Sequence, residues 1–268
     1  MNAKPILPSA TGLTHVTVYD SETPDGQCGG CPHMHLACTE LYYTIRGHGA
    51  AEFLSAGQGF QRISLHPGKV VYFTPGVLHR LINEENLEIL VLMENSGLPE
   101  LGDAVLSFPP QYLDDPIAYR AAQSVHDKDA YAPTQIQVAT LQEAQEMRDL
   151  AVIGFNEIVN EFNQDFARGE KRLAAFHRCG INLVKDLVPD WSRVVTRGVE
   201  ATVTRTRRNL EQIENSDPSY LSQGWIVDLP ALDRDRPNLS MCGFMWPYLP
   251  EGAAFDAWGT LETADSNQ

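Results

Sequence analysis

Basic residues are scarce in this chain. Lys and Arg number 20 against 35 Asp and Glu, a formal net charge of −15. Nucleic-acid binding needs clustered cations facing phosphate, and an anionic membrane surface needs the same, so the balance argues against both partners. Long apolar runs are also missing, and the first 13 residues lack the charged-then-apolar pattern of a secretory signal. The five cysteines are odd in number and unevenly spaced. That argues against a disulfide framework and for reduced thiols in a cytoplasmic protein. No internal repeat is visible, which argues against a second copy of any domain.

What remains is a chain of 268 residues, 43% hydrophobic, enough for a sizeable core. β-Branched and aromatic runs crowd the first third: Thr14–Tyr19, Leu41–Ile45, Ala51–Leu54, Val70–Phe73 and Leu87–Met93. Gly47-His48-Gly49, Gly57-Gln58-Gly59, Pro67-Gly68 and Pro75-Gly76 punctuate them as turns. Short strands with Gly and Pro turns predict an all-β sandwich or barrel over residues 1–110. After it the period changes. Met147, Leu150, Ala151, Phe155, Ile158, Phe162 and Phe166 recur every three or four residues, predicting a long helix from Leu141 that stops near Gly169. A second helix follows through Leu173, Phe176, Gly180, Val184 and Leu187 and ends at Pro189. Asp190 caps a third, running to about Ile213. Residues 111–215 thus read as a helical extension, 216–268 as an irregular segment, and Glu262–Gln268 as a frayed tail.

Two short stretches carry the chemistry. His33-Met34-His35 is followed by Glu40 and Gly47; Gly68 is followed by Gly76, His79 and Asn83. Alternate residues of a strand share a face, so His33 and His35 point the same way. Three imidazoles and a carboxylate suit one divalent transition metal, Fe, Mn, Ni, Co or Zn, better than Mg or Ca. Four protein donors leave one or two coordination positions for substrate or water.

These stretches resemble the two motifs of the cupin superfamily. The first motif matches at His33, His35, Glu40 and Gly47, and the second at Gly68, Gly76, His79 and Asn83. Two positions depart: Gln27 stands where the first motif has glycine, and Thr74 where the second has proline, with Pro75 one place later. The resemblance covers residues 28–95. It implies a small jelly-roll barrel, mainly β, with the metal near its interior and held by His33, His35, Glu40 and His79, followed here by the C-terminal α-helical extension.

Other readings are weighed beside this one. Cys28 and Cys31 with His33 and His35 could form a zinc knuckle, leaving Glu40 and His79 unused. His15, His48, His66, His126 and His177 lack companions at ligand spacing and read as surface or packing residues. Tyr42 and Thr44 alternate with Glu40 on its strand and could hydrogen-bond a polar substrate. Tyr72 lies near the second motif, and Tyr42 and Tyr72 are the candidate catalytic side chains. Arg80, beside His79, points outward as a surface charge. Arg205, Arg207 and Arg208 among Glu200, Glu211 and Glu214 read as a salt-bridged outer face.

A polar lining favours a small hydroxy-carbonyl, sugar-like substrate and a redox-neutral isomerase, epimerase or lyase. The alternatives are a non-heme Fe(II) dioxygenase and a non-catalytic binder. The helices are expected to cover the barrel or to form the contact of a homodimer.

Overall fold

The structure is a computed structural model that describes residues 7–123, 140–229, 231–235, 237–248 and the short strand pair 254–255 and 261–262. His126 and most of the expected tail lie outside these residues. Seven strands form the body of the barrel: β1 (Gly12–Val18), β2 (His33–His35), β3 (Glu40–Ser55), β4 (Gly59–Leu65), β5 (Val70–Phe73), β6 (Leu78–Met93) and β7 (Ala104–Leu106). Every pairing is antiparallel. β3 and β6, 16 residues each, pair along their whole length, from Glu40↔Met93 to Leu54↔Leu78. β5 and β4 complete the other edge of β3, and β1 and β2 the other edge of β6.

The two long strands bend together. Their register shifts between Thr44 and Gly49. Gly47 sits there at φ +75°, and a Cβ would lie 2.2 Å from the Asn86 carbonyl oxygen. Only glycine allows that approach. In a flat ladder Glu40 and His79 would stand 13 steps apart, roughly 40 Å at 3.3 Å per residue. Their side chains approach to 3.1 Å. The sheet therefore closes on itself and faces one end of β3 towards the other end of β6.

Alternation then sorts side chains into two cores. Val16, Val18, Tyr42, Phe53, Leu65, Phe73, Leu81, Leu87 and Ile89 fill the barrel. Met34, Leu54, Leu78 and Val105 project outward and meet the helices. These are α1 (Pro110–Leu113), α2 (Pro116–Gln123), α3 (Leu141–Gln164), α4 (Phe166–Val184), α5 (Val188–Val195) and α6 (Ala201–Glu214). Phe155, Ile158, Leu173 and Phe176 of α3 and α4 are buried against that outer face. Gly154 makes the contact possible, since a Cβ there would lie 2.0 Å from the Ser107 carbonyl oxygen. At Gly180 a Cβ would lie 3.1 Å from the Met34 side chain. The helices thus brace the wall that carries β2.

Two helix boundaries differ from the expected ones. The first long helix stops at Asp165, four residues before Gly169, because Asp165 is extended and caps α4 through the Arg168 amide at 2.8 Å. Gly169 lies within α4, where the Phe162 ring occupies the space a side chain would take. Pro189 starts α5 instead of merely ending what precedes it, as a first-turn proline can. The segment read as irregular also contains strands β8 (Asn238–Leu239) and β9 (Gly243–Pro247); β9 pairs with β1 and returns the chain to the barrel.

Candidate metal centre

β2 is a three-residue strand held on both sides. His33 lies opposite His79 of β6 and Leu106 of β7. Met34 faces the helices, so His33 and His35 face the barrel interior, as the alternation predicts. A buried arginine fixes the loop that leads to them. Arg148 of α3, 1% exposed, donates Nη1 to the Ser21 hydroxyl (2.7 Å) and carbonyl (3.1 Å) and Nη2 to the Glu22 carbonyl (2.9 Å). Glu40 opens β3. His79 follows the turn Thr74–Val77, which His177 of α4 contacts through the Gly76 carbonyl at 2.9 Å.

One donor atom from each of His33, His35, Glu40 and His79 lies within 4.8 Å of every other. All four residues are buried. The imidazole orientations are fixed from behind. His33 Nδ1 donates to the Cys31 carbonyl (2.9 Å) and His79 Nδ1 to the Val77 carbonyl (3.0 Å). A carbonyl only accepts, so both Nδ1 atoms carry a proton, and in each ring Nε2 is the nitrogen turned towards the cluster. His35 Nδ1 donates to Asp103 Oδ2 at 3.0 Å. Glu40 Oε2 lies 3.1 Å from His79 Nε2 and 3.3 Å from His35 Nε2. Yet Glu40 Oε2 and His79 Nε2 make no aligned hydrogen bond, though both are shut off from solvent. Buried polar atoms left this way cost free energy unless something fills the space between them. The donor set and its orphaned atoms fit a transition metal ion.

The electrostatics follow from burial and crowding. Burial pushes His33 well down, and the neighbouring His79 and His35 push it further. Burial would lower His35 too, but the Asp103 hydrogen bond and the charges of Asp103 and Glu40 outweigh it and raise His35 to about 9. Burial opposes ionisation of Glu40, but His35 and His79 hold its carboxyl well below the usual range. Asp103 behaves likewise: burial opposes, and His35 with the Ala37 amide keeps it ionised.

Tyr42 is buried next along β3, with its hydroxyl unpartnered, as is that of Thr44. Burial, then the Glu40 charge, pushes the Tyr42 phenol far up. Phe73 and Phe53 wall the site, with ring centroids 4.2 and 6.5 Å from that of His79.

Several expected residues lie elsewhere. Tyr72 is 70% exposed on the outside of the barrel, because Phe73 beside it takes the inward position. Arg80 does point away from the interior, but it is 2% exposed. It bonds Glu52 (2.6 Å) and Asp25 (2.7 Å) beneath the Phe155 ring, because α3 covers that face. The zinc knuckle does not form: Cys31 is packed in the helix-facing core, and burial raises its thiol well above its usual value. His15 is a buried packing residue bonded to Glu88 at 3.0 Å, and His48 and His66 are exposed. Asp103, the partner of His35, lies 68 residues from it with no spacing in the sequence to announce it.

Residues 7–100 match the family model described as Cupin. They are a cupin domain. The match spans both motifs of the metal-capable cluster, and the jelly-roll expectation agrees with the antiparallel barrel and its helical extension. No curated protein matches this chain. Among solved structures, Pac13 of Streptomyces, a nucleoside dehydratase, is 12% identical over 34% of this chain and 62% of its own, at TM-score 0.25. The coconut allergen cocosin is 13% identical over 31% of this chain and 21% of its own, at TM-score 0.27. Peruvianin-I, a cysteine peptidase from Thevetia peruviana latex, is 17% identical over 31% and 48%, at TM-score 0.24. The aligned part is less than two thirds of each of these chains. Likenesses this slight carry nothing about the chemistry of the cupin described here.

Proposed function

We propose that this cupin binds one divalent transition metal through His33, His35, Glu40 and His79. At that site it carries out a redox-neutral isomerisation, epimerisation or elimination on a small hydroxy-carbonyl compound. The observation that supports the metal is the pair of buried, unpartnered atoms, Glu40 Oε2 and His79 Nε2, inside a cluster whose other imidazole nitrogens are already bonded. A bound ion of this kind supplies Lewis acidity that stabilises negative charge developing on a substrate oxygen.

The remaining roles belong to side chains. Tyr42 stays a neutral phenol at physiological pH, since burial and Glu40 oppose its ionisation. It therefore serves as a hydrogen-bond donor to a developing oxyanion, not as a base. Thr44 extends the same polar row along β3 and suits a substrate with several oxygens. Phe53 and Phe73 exclude water and strengthen those bonds. Five free cysteines agree with a reducing, cytoplasmic compartment. No described helix is long and apolar enough to cross a membrane.

Turnover of hydroxy-carbonyl compounds by the metal-loaded protein, measured under nitrogen and under air, tests the reaction class. Equal turnover in both, with several metals active, is the expected result. Oxygen uptake confined to the Fe(II)-loaded protein would replace this reading with the dioxygenase, and retention of a ligand without turnover would replace it with a binder.

A further inference from the structure

We infer that the C-terminal return of the chain, residues 240–243 at the start of β9, positions the ligand His33, an inference that rests on the metal proposed at that site. β1 and β2 both pair with β6, along different parts of it, and not with each other. The return bridges them. On one side Val18 of β1 pairs with Gly243, and the Tyr19 amide donates to the Cys242 carbonyl at 3.3 Å. On the other side the Cys31 amide donates to the Met241 carbonyl at 2.9 Å.

Cys31 is where the return meets the ligand. The Gly30 amide before it donates to Leu81 of β6 at 2.9 Å, and the Cys31 amide points the other way, to the return. Cys31 is fully buried, so without Met241 its amide would be a donor with no acceptor. The Cys31 carbonyl is the group that accepts from His33 Nδ1 at 2.9 Å. One residue thus hangs between the return and the ligand, and the place where Met241 holds it sets the direction of His33 Nε2. The other two imidazoles are aimed independently, His79 by the Val77 carbonyl and His35 by Asp103.

The return is tied down locally. Ser240 Oγ accepts from the Cys242 and Gly243 amides, both at 3.2 Å, and the Tyr19 hydroxyl donates to the Ser240 carbonyl at 2.9 Å. Cys242 and Met245 pack against the apolar core of the barrel. None of this segment lies within residues 7–100, so a stretch outside the cupin match completes the support of the site.

The test compares the full-length wild type with Gly243→Ala, Ser240→Ala and Ser240→Thr. In Gly243→Ala the new Cβ would lie 2.0 Å from the Thr17 carbonyl oxygen, which forces the return off β1 and leaves the His33 loop unmutated. Ser240→Ala unties the turn, and Ser240→Thr keeps the hydroxyl. The readouts are the ring-nitrogen NMR signals of the metal-free protein and the Co(II) dissociation constant. In Gly243→Ala and Ser240→Ala, His33 is expected to lose its fixed Nδ1–H signal while His79 keeps its own. Co(II) affinity is expected to fall about tenfold, as for other outer partners of a metal ligand. Ser240→Thr is expected to match the wild type in both. An unchanged His33 signal in Gly243→Ala, or loss of the His33 and His79 signals together, overturns the inference, since the latter makes the return a general brace. A wild type that binds no Co(II) refutes the metal instead, and the ring signals still decide what positions His33.

Discussion

His35 and Asp103 are joined by a buried hydrogen bond, Nδ1 to Oδ2 at 3.0 Å, across 68 residues of sequence. The other Asp103 oxygen accepts from the Leu36 and Ala37 amides at 3.0 and 2.7 Å. One carboxylate thus aims the imidazole and pins the chain that leaves β2. Outer partners of this kind typically govern metal affinity by 10–100-fold. Asp103→Asn is expected to weaken binding of Zn(II) or Mn(II) by about that factor while the ligands stay in place. Titration calorimetry of the variant checks it, and unchanged affinity would make Asp103 a purely structural residue.

The raised His35 gives a second expectation. At pH 7 the metal-free imidazole is protonated, since its pKa is about 9. A metal takes the neutral ring, so binding must release that proton. The sign is fixed: affinity rises with pH up to about 9 and then levels. Calorimetry in two buffers of different ionisation enthalpy is expected to show about one proton released per metal at pH 7. No buffer dependence would contradict the assigned protonation.

Arg80 tests how the barrel and helices are coupled. Its guanidinium satisfies Glu52, which is 3% exposed, and Asp25. Arg80→Ala leaves the Glu52 carboxylate buried beside only the half-exposed Arg62. Removing one partner of a buried pair typically costs about 3–5 kcal/mol. Urea unfolding is expected to show a loss of that order, and a loss under about 1 kcal/mol would mean the network is dispensable.

Asp25 carries the pH dependence of the same network. Burial opposes its charge, but Arg80, Thr23 and Asn156 hold the carboxyl well below its ordinary value of 3.8. A depressed carboxyl contributes stability that is fully present above its unfolded pKa and is lost as pH falls through the folded one. Asp25→Asn is therefore expected to be less stable than the wild type at pH 7. The gap in urea midpoint should close as pH drops below about 4. A gap constant from pH 7 to pH 2 would assign the loss to packing instead.

The sequence made the ligands legible because strand alternation and turn spacing are local. His33 and His35 sit two apart on one short strand, Glu40 opens the next strand, and His79 follows a turn marked by Gly76. The rest depends on what packs where. Strand alternation points Arg80 out of the barrel, but the sequence does not say that α3 will lie over that face and bury it. Tyr72 and Phe73 are equally plausible inward residues until the register with Leu41 and Glu40 is known. Asp165 outranks Gly169 as the helix break because its side chain caps the next helix, and Gly169 answers instead to the Phe162 ring. Asp103 reaches His35 only through the tertiary fold.

The central claim is a metal at His33, His35, Glu40 and His79. Elemental analysis of the purified protein, with His33→Ala and His79→Ala alongside, tests it most directly. About one equivalent of a divalent transition metal is expected in the wild type and little in either variant, with the barrel still folded by circular dichroism. Full occupancy in both variants would contradict the account.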